Sequence, residues 1–414
     1  MAHSAFVPSA LWTLPFAGLL VGLAVLPLVA HRFWESNVRK LVFCAALAAP
    51  VLVLYLIHSP TAVVHAGEEY LSFIVLLGGL FFIAGGVLLE GDLEATPSTN
   101  TLFLALGVAL AGLIGTTGAS MLLIRPLLST NKERRHVVHT AVFFIFLVSN
   151  IGGCLLPLGD PPLFMGYLRG VPFTWTLGLW PQWLMASSIL LVVYFVWDTI
   201  LHQKEPPERI RLDRTNIKPL HVGGAHNLAL LAAVAAVTVL LATPWRELAT
   251  VVLAVLSWRL TSPHLYHANR FSFHPMLEVA AIFFGIFVTM LPALDVLHAR
   301  GAELSLHQPW QYFWATGLLS TFLDNTPTYL TFLALGQSQQ LGNEVVGVPH
   351  NILAAISLGS VFMGANSYLG NGPNFMVRAI AESRGIRMPS FGGFMVYSGA
   401  VVLPVFVLIT VIFF

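Results

Sequence analysis

The sequence predicts an all-α polytopic membrane protein, with about ten transmembrane helices and two re-entrant hairpins set in inverted repeats. Three observations carry that prediction: the composition, the sidedness of the basic residues, and a motif that occurs twice. The chain has 414 residues, of which 57% are hydrophobic and 9% charged, against roughly 25% charged in an ordinary soluble domain. A mean hydropathy of +0.79 leaves too little polar surface to coat a water-soluble globule. Stretches such as 11–30, 71–89, 182–201 and 391–414 are almost uncharged. Each is long enough to cross about 30 Å of hydrocarbon.

Charge gives the sidedness. Sixteen of the 20 Lys and Arg fall in five stretches, 31–40, 131–136, 202–220, 259–270 and 378–388. Arg169, Arg246 and Arg300 lie outside them, and Arg125 sits inside an apolar segment. Placing the five stretches in the cytoplasm satisfies the positive-inside rule. A net charge of +1 provides no basic arm, so nucleic acid is excluded as a partner. Cys44 and Cys154 lie in apolar segments; two cysteines make neither a disulfide framework nor a metal cluster and read as small buried hydrophobes. The first segment lacks a basic leader region and a small-residue cleavage site, so it reads as a retained helix. No Walker motif, HExxH, nucleophile elbow or dinucleotide fingerprint is present. That argues against an ATP-driven pump, an enzyme or a bound cofactor.

The elements follow in order. Residues 1–70 read as framework helices at 11–30 and 41–57. Residues 71–201 form a first unit that opens with a helix at 71–89 running inward to Glu90. The next basic loop, 131–136, must also be cytoplasmic, yet the apolar stretch 101–128 lies between. A re-entrant hairpin over 101–128, with its tip near "GTTGAS" at 115–120, resolves the conflict. A broken helix follows at 137–168, then a helix at 182–201. Residues 202–273 read as a cytoplasmic linker and further framework helices. Residues 274–414 form a second unit with a hairpin at 310–336, its tip near "LDNTPT", and a broken helix at 350–380. Non-helical backbone at membrane depth is tolerated only where protein covers it or a polar cavity receives it, so two hairpins imply one cavity.

The repeat supports that arrangement. "LGDPPLFM" at 158–165 and "LGNGPNFM" at 369–376 share five of eight positions at an offset of 211. "GLI" at 112–114 meets "GLL" at 317–319, and the Phe pairs at 81–82 and 283–284 keep the same order. The threading runs 71–89 inward and 274–297 outward, so the copies are inverted. Inverted repeats with Gly/Pro-interrupted segments at equivalent places mark a secondary transporter with a midplane site.

"SNIGG…GDPP", "DNTPTYL" and "GANSYLGNGPN" resemble the ion transporter superfamily over roughly 70–400, and most closely its NhaD-type sodium/proton antiporter and CitMHS-like citrate transporter branches. In the related dicarboxylate symporters, Ser-Asn-Thr hairpin tips hold sodium and carboxylate. Here the tips read Gly115-Thr116-Thr117 and Asp324-Asn325-Thr326, and the paired breaks read Asp160-Pro161-Pro162 and Asn371-Gly372-Pro373. The resemblance implies a multi-pass protein of a bacterial inner membrane, with framework helices that mediate a homodimer.

Asp160 and Asp324 are the two carboxylates expected near mid-membrane. A buried charge there is costly and by default functional; the alternative is that each caps a half-helix N-terminus. A carboxylate among Asn, Thr and carbonyl oxygens suits a small hard cation, for which a proton competes. Candidate ligands of the ion or substrate are Thr116, Thr117, Ser120, Ser149, Asn150, Asp160, Asp324, Asn325, Thr326, Asn366, Asn371 and Asn374. Sodium is expected at Asp160, Asn150, Asp324 and Asn325. The neutral residues among these could instead only bridge helices. Arg125 could snorkel, pair with an acid or bind an anion. His136 and His139 are pH-sensor candidates. Asp198 and Glu278 are expected to snorkel, and Glu90, Asp92 and Glu94 to form a solvated rim. Three function classes follow: the leading reading is a sodium/proton antiporter, with lithium as a further candidate ion; the alternative is a cation-coupled carboxylate (citrate-like) symporter; the third is a channel or scaffold. The inverted hairpins argue against the last.

Topology is tested by cysteine labelling. Thiols introduced as Pro206→Cys and Ser383→Cys should react with an impermeant reagent only after permeabilisation, whereas Val346→Cys should react in sealed cells. Labelling of position 206 from outside sealed cells would contradict the inverted threading.

Overall fold

A computed structural model of the chain describes residues 6–34, 36–215, 217–304 and 306–414. It is built almost wholly of helices. The first group is α1 (Leu14–Val29), α2 (His31–Trp34), α3 (Asn37–His58) and α4 (Pro60–Gly85). A helix pair follows, α5 (Pro97–Ile114) and α6 (Thr116–Thr130), then α7 (Val138–Leu147), α8 (Pro161–Leu168) and α9 (Trp180–His202). The middle holds α10 (Pro207–Thr215), α11 (His226–Leu240), α12 (Trp245–Leu260) and α13 (Pro263–Ala268). The last group is α14 (His274–Arg300), α15 (Pro309–Phe322), α16 (Asn325–Ser338), α17 (His350–Met363), α18 (Gly372–Ser383) and α19 (Phe391–Phe413).

Eight helical stretches among the described residues are long and apolar enough to cross a membrane. This number is below ten for a physical reason. One of the eight, α5, is an arm of the expected hairpin, and three expected spans fall short: α11 and α12 have 15 and 16 residues, and α17 stops after 14 residues where the chain breaks. The stretch Val138–Leu155 is 89% buried, whereas Asn37–His58 is 22% buried. A segment apolar all round belongs inside a bundle, so α7 and its continuation form the interior while α3 lies outside.

Local sequence sets the helix ends. Pro97 stands in the first turn of α5, and Thr96 Oγ1 accepts the Thr99 N–H at 3.1 Å, a side-chain cap. Gln311 Oε1 accepts the Gln308 N–H at 2.9 Å, closing a capping box on α15. Between α5 and α6 the chain turns at Gly115, whose φ of +81° favours glycine. Aromatic packing joins α4 to α14: the Phe73 and Phe283 rings stack at 4.5 Å between centroids. Two short strands, β1 (Leu88–Asp92) and β2 (Lys218–Gly223), pair antiparallel in the register Leu88↔Gly223, tying the segment after α4 to the linker before α11.

Near the basic loops, a polar network fixes the helix pair α5/α6. Asp198 is fully buried. Its carboxylate accepts from Arg134 Nη1 at 2.9 Å, Asn100 Nδ2 at 3.1 Å and His139 Nε2 at 2.8 Å. Asn100 and Asn131 exchange amide bonds of 2.9 and 2.7 Å. Glu205 accepts the backbone N–H groups of Arg135 and His136. Asp198 therefore does not snorkel, because three donors on α5, α7 and the α6–α7 loop converge on it. Glu278 pairs with Lys40 at 2.6 Å. Asp92, expected in a solvated rim, is 5% exposed and bound to Lys132.

Removing one partner from a buried ion pair strands the other charge, at a cost of about 3–5 kcal/mol. Asp198→Ala should therefore lower the thermal midpoint of the detergent-purified protein sharply, while an exposed change such as Glu208→Ala leaves it in place. Equal midpoints for the two variants would mean that the network does not anchor the fold.

Candidate functional site

Four irregular segments meet at the centre of the bundle: the α5–α6 turn, the α7–α8 break, the α15–α16 turn and the α17–α18 break. Close approach is possible because the breaks carry glycine. A Cβ on Gly153 would lie 2.6 Å from Thr116 Cγ2 and 3.0 Å from the Gly159 carbonyl oxygen. The Thr116 N–H donates to that same Gly159 carbonyl at 2.8 Å, so the first turn is stitched to the first break. Both breaks restart alike. Asp160 stands before α8 with φ −144° and ψ 138°, and Asn371 before α18 with φ −152° and ψ 140°. Proline follows in the first helical turn each time.

Asp160 is the meeting point. It is 1% exposed. Its carboxylate accepts from Asn325 Nδ2 at 2.8 Å, from Asn371 Nδ2 at 3.3 Å and from Thr116 Oγ1 at 3.4 Å. Those three donors come from the other three segments. No basic side chain pairs with Asp160 among the described residues. Asp160 also makes no side-chain cap bond to α8, although it occupies the N-cap position. Asp324 differs: its carboxylate accepts the Thr326 N–H at 3.0 Å and caps α16. The two acids that the sequence treats alike thus have different surroundings.

The other candidates fall around this centre. Asn371 also donates to the Ser149 carbonyl at 3.0 Å, and Ser149 and Ser120 share a hydroxyl bond of 2.9 Å. Asn150 turns away from Asp160, donating to the Ile145 carbonyl at 2.8 Å and to Asn374 Oδ1 at 2.9 Å. Asn374 donates to the Gly364 and Ser367 carbonyls, both at 2.9 Å. Asn366 donates to Thr321 Oγ1 at 3.1 Å. Three buried oxygens here have no hydrogen-bond partner: Asn150 Oδ1, Asn366 Oδ1 and Thr326 Oγ1. Such oxygens are what a hard cation would take. Thr116, Thr117 and Asp160 line a cavity of about 60 Å³, walled by α4 and α14 residues such as Phe73 and Met276. A single water needs roughly 10–15 Å³ by the same measure, so the space suits a few waters or a partly hydrated ion.

Some residues lie apart from the site. Arg125 Nη1 donates to the Asn269 carbonyl at 2.5 Å, and it pairs with no acid among the described residues. His139 belongs to the Asp198 network, and His136 contributes its backbone N–H there. No group of three or more His, Cys, Asp or Glu among the described residues could hold a metal ion. Among the carboxylates that escaped the sequence reading, Asp295 accepts from Tyr55 Oη at 2.6 Å. Only its place in an apolar helix could have drawn attention to it.

A family model described as "Putative citrate transport", CitMHS_2, matches residues 6–414. The chain belongs to that family. No curated protein matches it. The CitMHS_2 match covers nearly the whole chain and falls on the citrate-transporter side of the resemblance read from the motifs; it does not single out the NhaD-type antiporters. Together with the apolar helices, it makes the chain an integral multi-pass membrane protein of a transporter family. Transporters of this kind are generally not enzymes.

Proposed function

We propose that the protein is a secondary transporter in which sodium and protons compete for Asp160, so that each turnover exchanges one for the other. A single observation carries this reading. The Asp160 carboxylate is buried, held by three neutral donors and paired with no basic side chain among the described residues. An uncompensated charge in such a place costs several kcal/mol. The group is therefore tolerable when protonated or when joined by a cation. Proton loss and cation gain become one event. Asn325, Asn371 and Thr116 carry oxygens that can turn toward the ion, as amide orientation is set by the surrounding bonds.

The inverted-repeat reading adds the means of access. Asp160 and Asn371, which the 211-residue offset equates, touch each other at 3.3 Å. Equivalent residues in contact are what a pseudo-two-fold axis through the site would produce. A site built from both repeats is exposed to one side or the other when one unit moves against the framework.

A second reading is favoured by the family match: cation-coupled uptake of a citrate-like carboxylate. In that case the ion at Asp160 would drive the anion rather than a proton.

The test is flux in proteoliposomes that contain a pH dye. External sodium or lithium should alkalinise the lumen, and potassium should not. Asp160→Asn keeps shape and hydrogen bonding but cannot titrate, so its signal should fall to that of empty liposomes while the protein stays folded. Asp324→Asn should weaken the sodium dependence or abolish the signal. Normal exchange by Asp160→Asn would rule the mechanism out. Sodium-driven citrate accumulation without proton exchange would establish the second reading.

A further inference from the structure

Five basic residues line a second cavity, far in chemistry from the apolar one beside Asp160. It measures about 680 Å³ and lies between the α6–α7 loop and the loop after α18, a size within the usual range of roughly 300–1,000 Å³ for ligand pockets. Lys132, Arg134 and Arg135 face it from the first loop, Arg384 and Arg387 from the second. No acidic residue lines it. The positive-inside rule accounts for basic loops on one face. It does not account for two loops some 250 residues apart closing around one cavity whose charged wall residues are all basic.

The five are not equivalent. Lys132 pairs with Asp92, and Arg134 is held by Asp198 at 2.7 Å. Arg135, Arg384 and Arg387 have no carboxylate partner among the described residues, and all three side chains are exposed. Arg384 makes one neutral bond, Nη1 to Ser129 Oγ at 2.8 Å. Arg270 lies near enough for its like charge to act on this guanidinium, a repulsion that an anion would relieve. The first turn of α7 opens on the same space: Val137 and Val138 line it, and no side chain caps that helix. Its free N–H groups and positive dipole end favour an anion. Planar guanidinium groups bind carboxylate and phosphate oxygens in pairs.

We propose that this cavity is a binding site for a small multivalent oxyanion, a polycarboxylate or a phosphate, held by Arg135, Arg384 and Arg387. The site is separate from Asp160 and stands whichever ion Asp160 carries. Its occupant comes either from solution, as a polycarboxylate or free phosphate, or from the bilayer, as an anionic lipid headgroup.

The test is isothermal titration of the full-length protein, purified in neutral detergent at low salt, with citrate, pyrophosphate and a short-chain phosphatidic acid. At least one should bind saturably. The Arg384→Gln/Arg387→Gln variant should bind it about tenfold or more weakly, given the strength of charge-assisted hydrogen bonds. Binding of citrate or pyrophosphate assigns the soluble source, and binding of phosphatidic acid alone assigns the lipid. Asp160→Asn should bind as the wild type does. Should the double variant aggregate, Arg387→Gln alone, an exposed loop change, is measured in its place and should also weaken binding. The proposal is overturned if none of the three probes binds saturably, if a monodisperse arginine variant binds unchanged, or if Asp160→Asn abolishes the binding.

Discussion

The carboxylate of Asp160 and the three side chains that donate to it hold the centre of this protein together. Thr116, Asn325 and Asn371 come from three separate segments, and each stands where a helix is interrupted: Thr116 and Asn325 open α6 and α16, and Asn371 immediately precedes α18. Breaking a helix inside a bundle frees backbone groups that have no water to turn to. Asparagine amides take up much of that demand. Asn371 serves the Ser149 carbonyl, Asn150 that of Ile145, and Asn374 those of Gly364 and Ser367. The same residue type thus closes the backbone account of the breaks and joins the first break to the second. Substituting any one of these amides would disturb both functions at once.

Two buried aspartates define what the fold does with charge. Asp198 meets a guanidinium, an imidazole and an amide. Its charge is compensated by the protein itself, so it works as an anchor for the α5/α6 pair. Asp160 meets only neutral donors. No basic side chain among the described residues compensates its charge. The distinction is one of partners and not of burial, since both are essentially inaccessible. The Asp198 network sits beside the basic loops and the Asp160 network at the centre.

Composition made the fold class legible, because a chain with so few charges has no soluble alternative. The breaks were legible through glycine and proline: α5 ends at Gly115, α8 begins at Pro161, and Pro373 stands in the first turn of α18. Asp160, Asn325, Asn371 and Thr116 stood out as polar residues in apolar surroundings. Their pairing did not, since Asn150 was as plausible a partner for Asp160 as Asn371 until the path of the chain was known. Asp198 was misread for a related reason. It lies near the end of an apolar helix, where snorkelling is the ordinary outcome, and its partner Arg134 is 64 residues away in sequence. Arg125 offers the same lesson, since the carbonyl that receives it, Asn269, belongs to a distant loop.

Competition between a proton and a cation at Asp160 is tested most directly by proton release. Sodium added to the purified protein in weakly buffered detergent should release protons to a pH dye, and Asp160→Asn, folded as the wild type, should release none. Sodium binding without proton release by the wild type, or equal release by the two proteins, would contradict a carboxylate that trades one for the other.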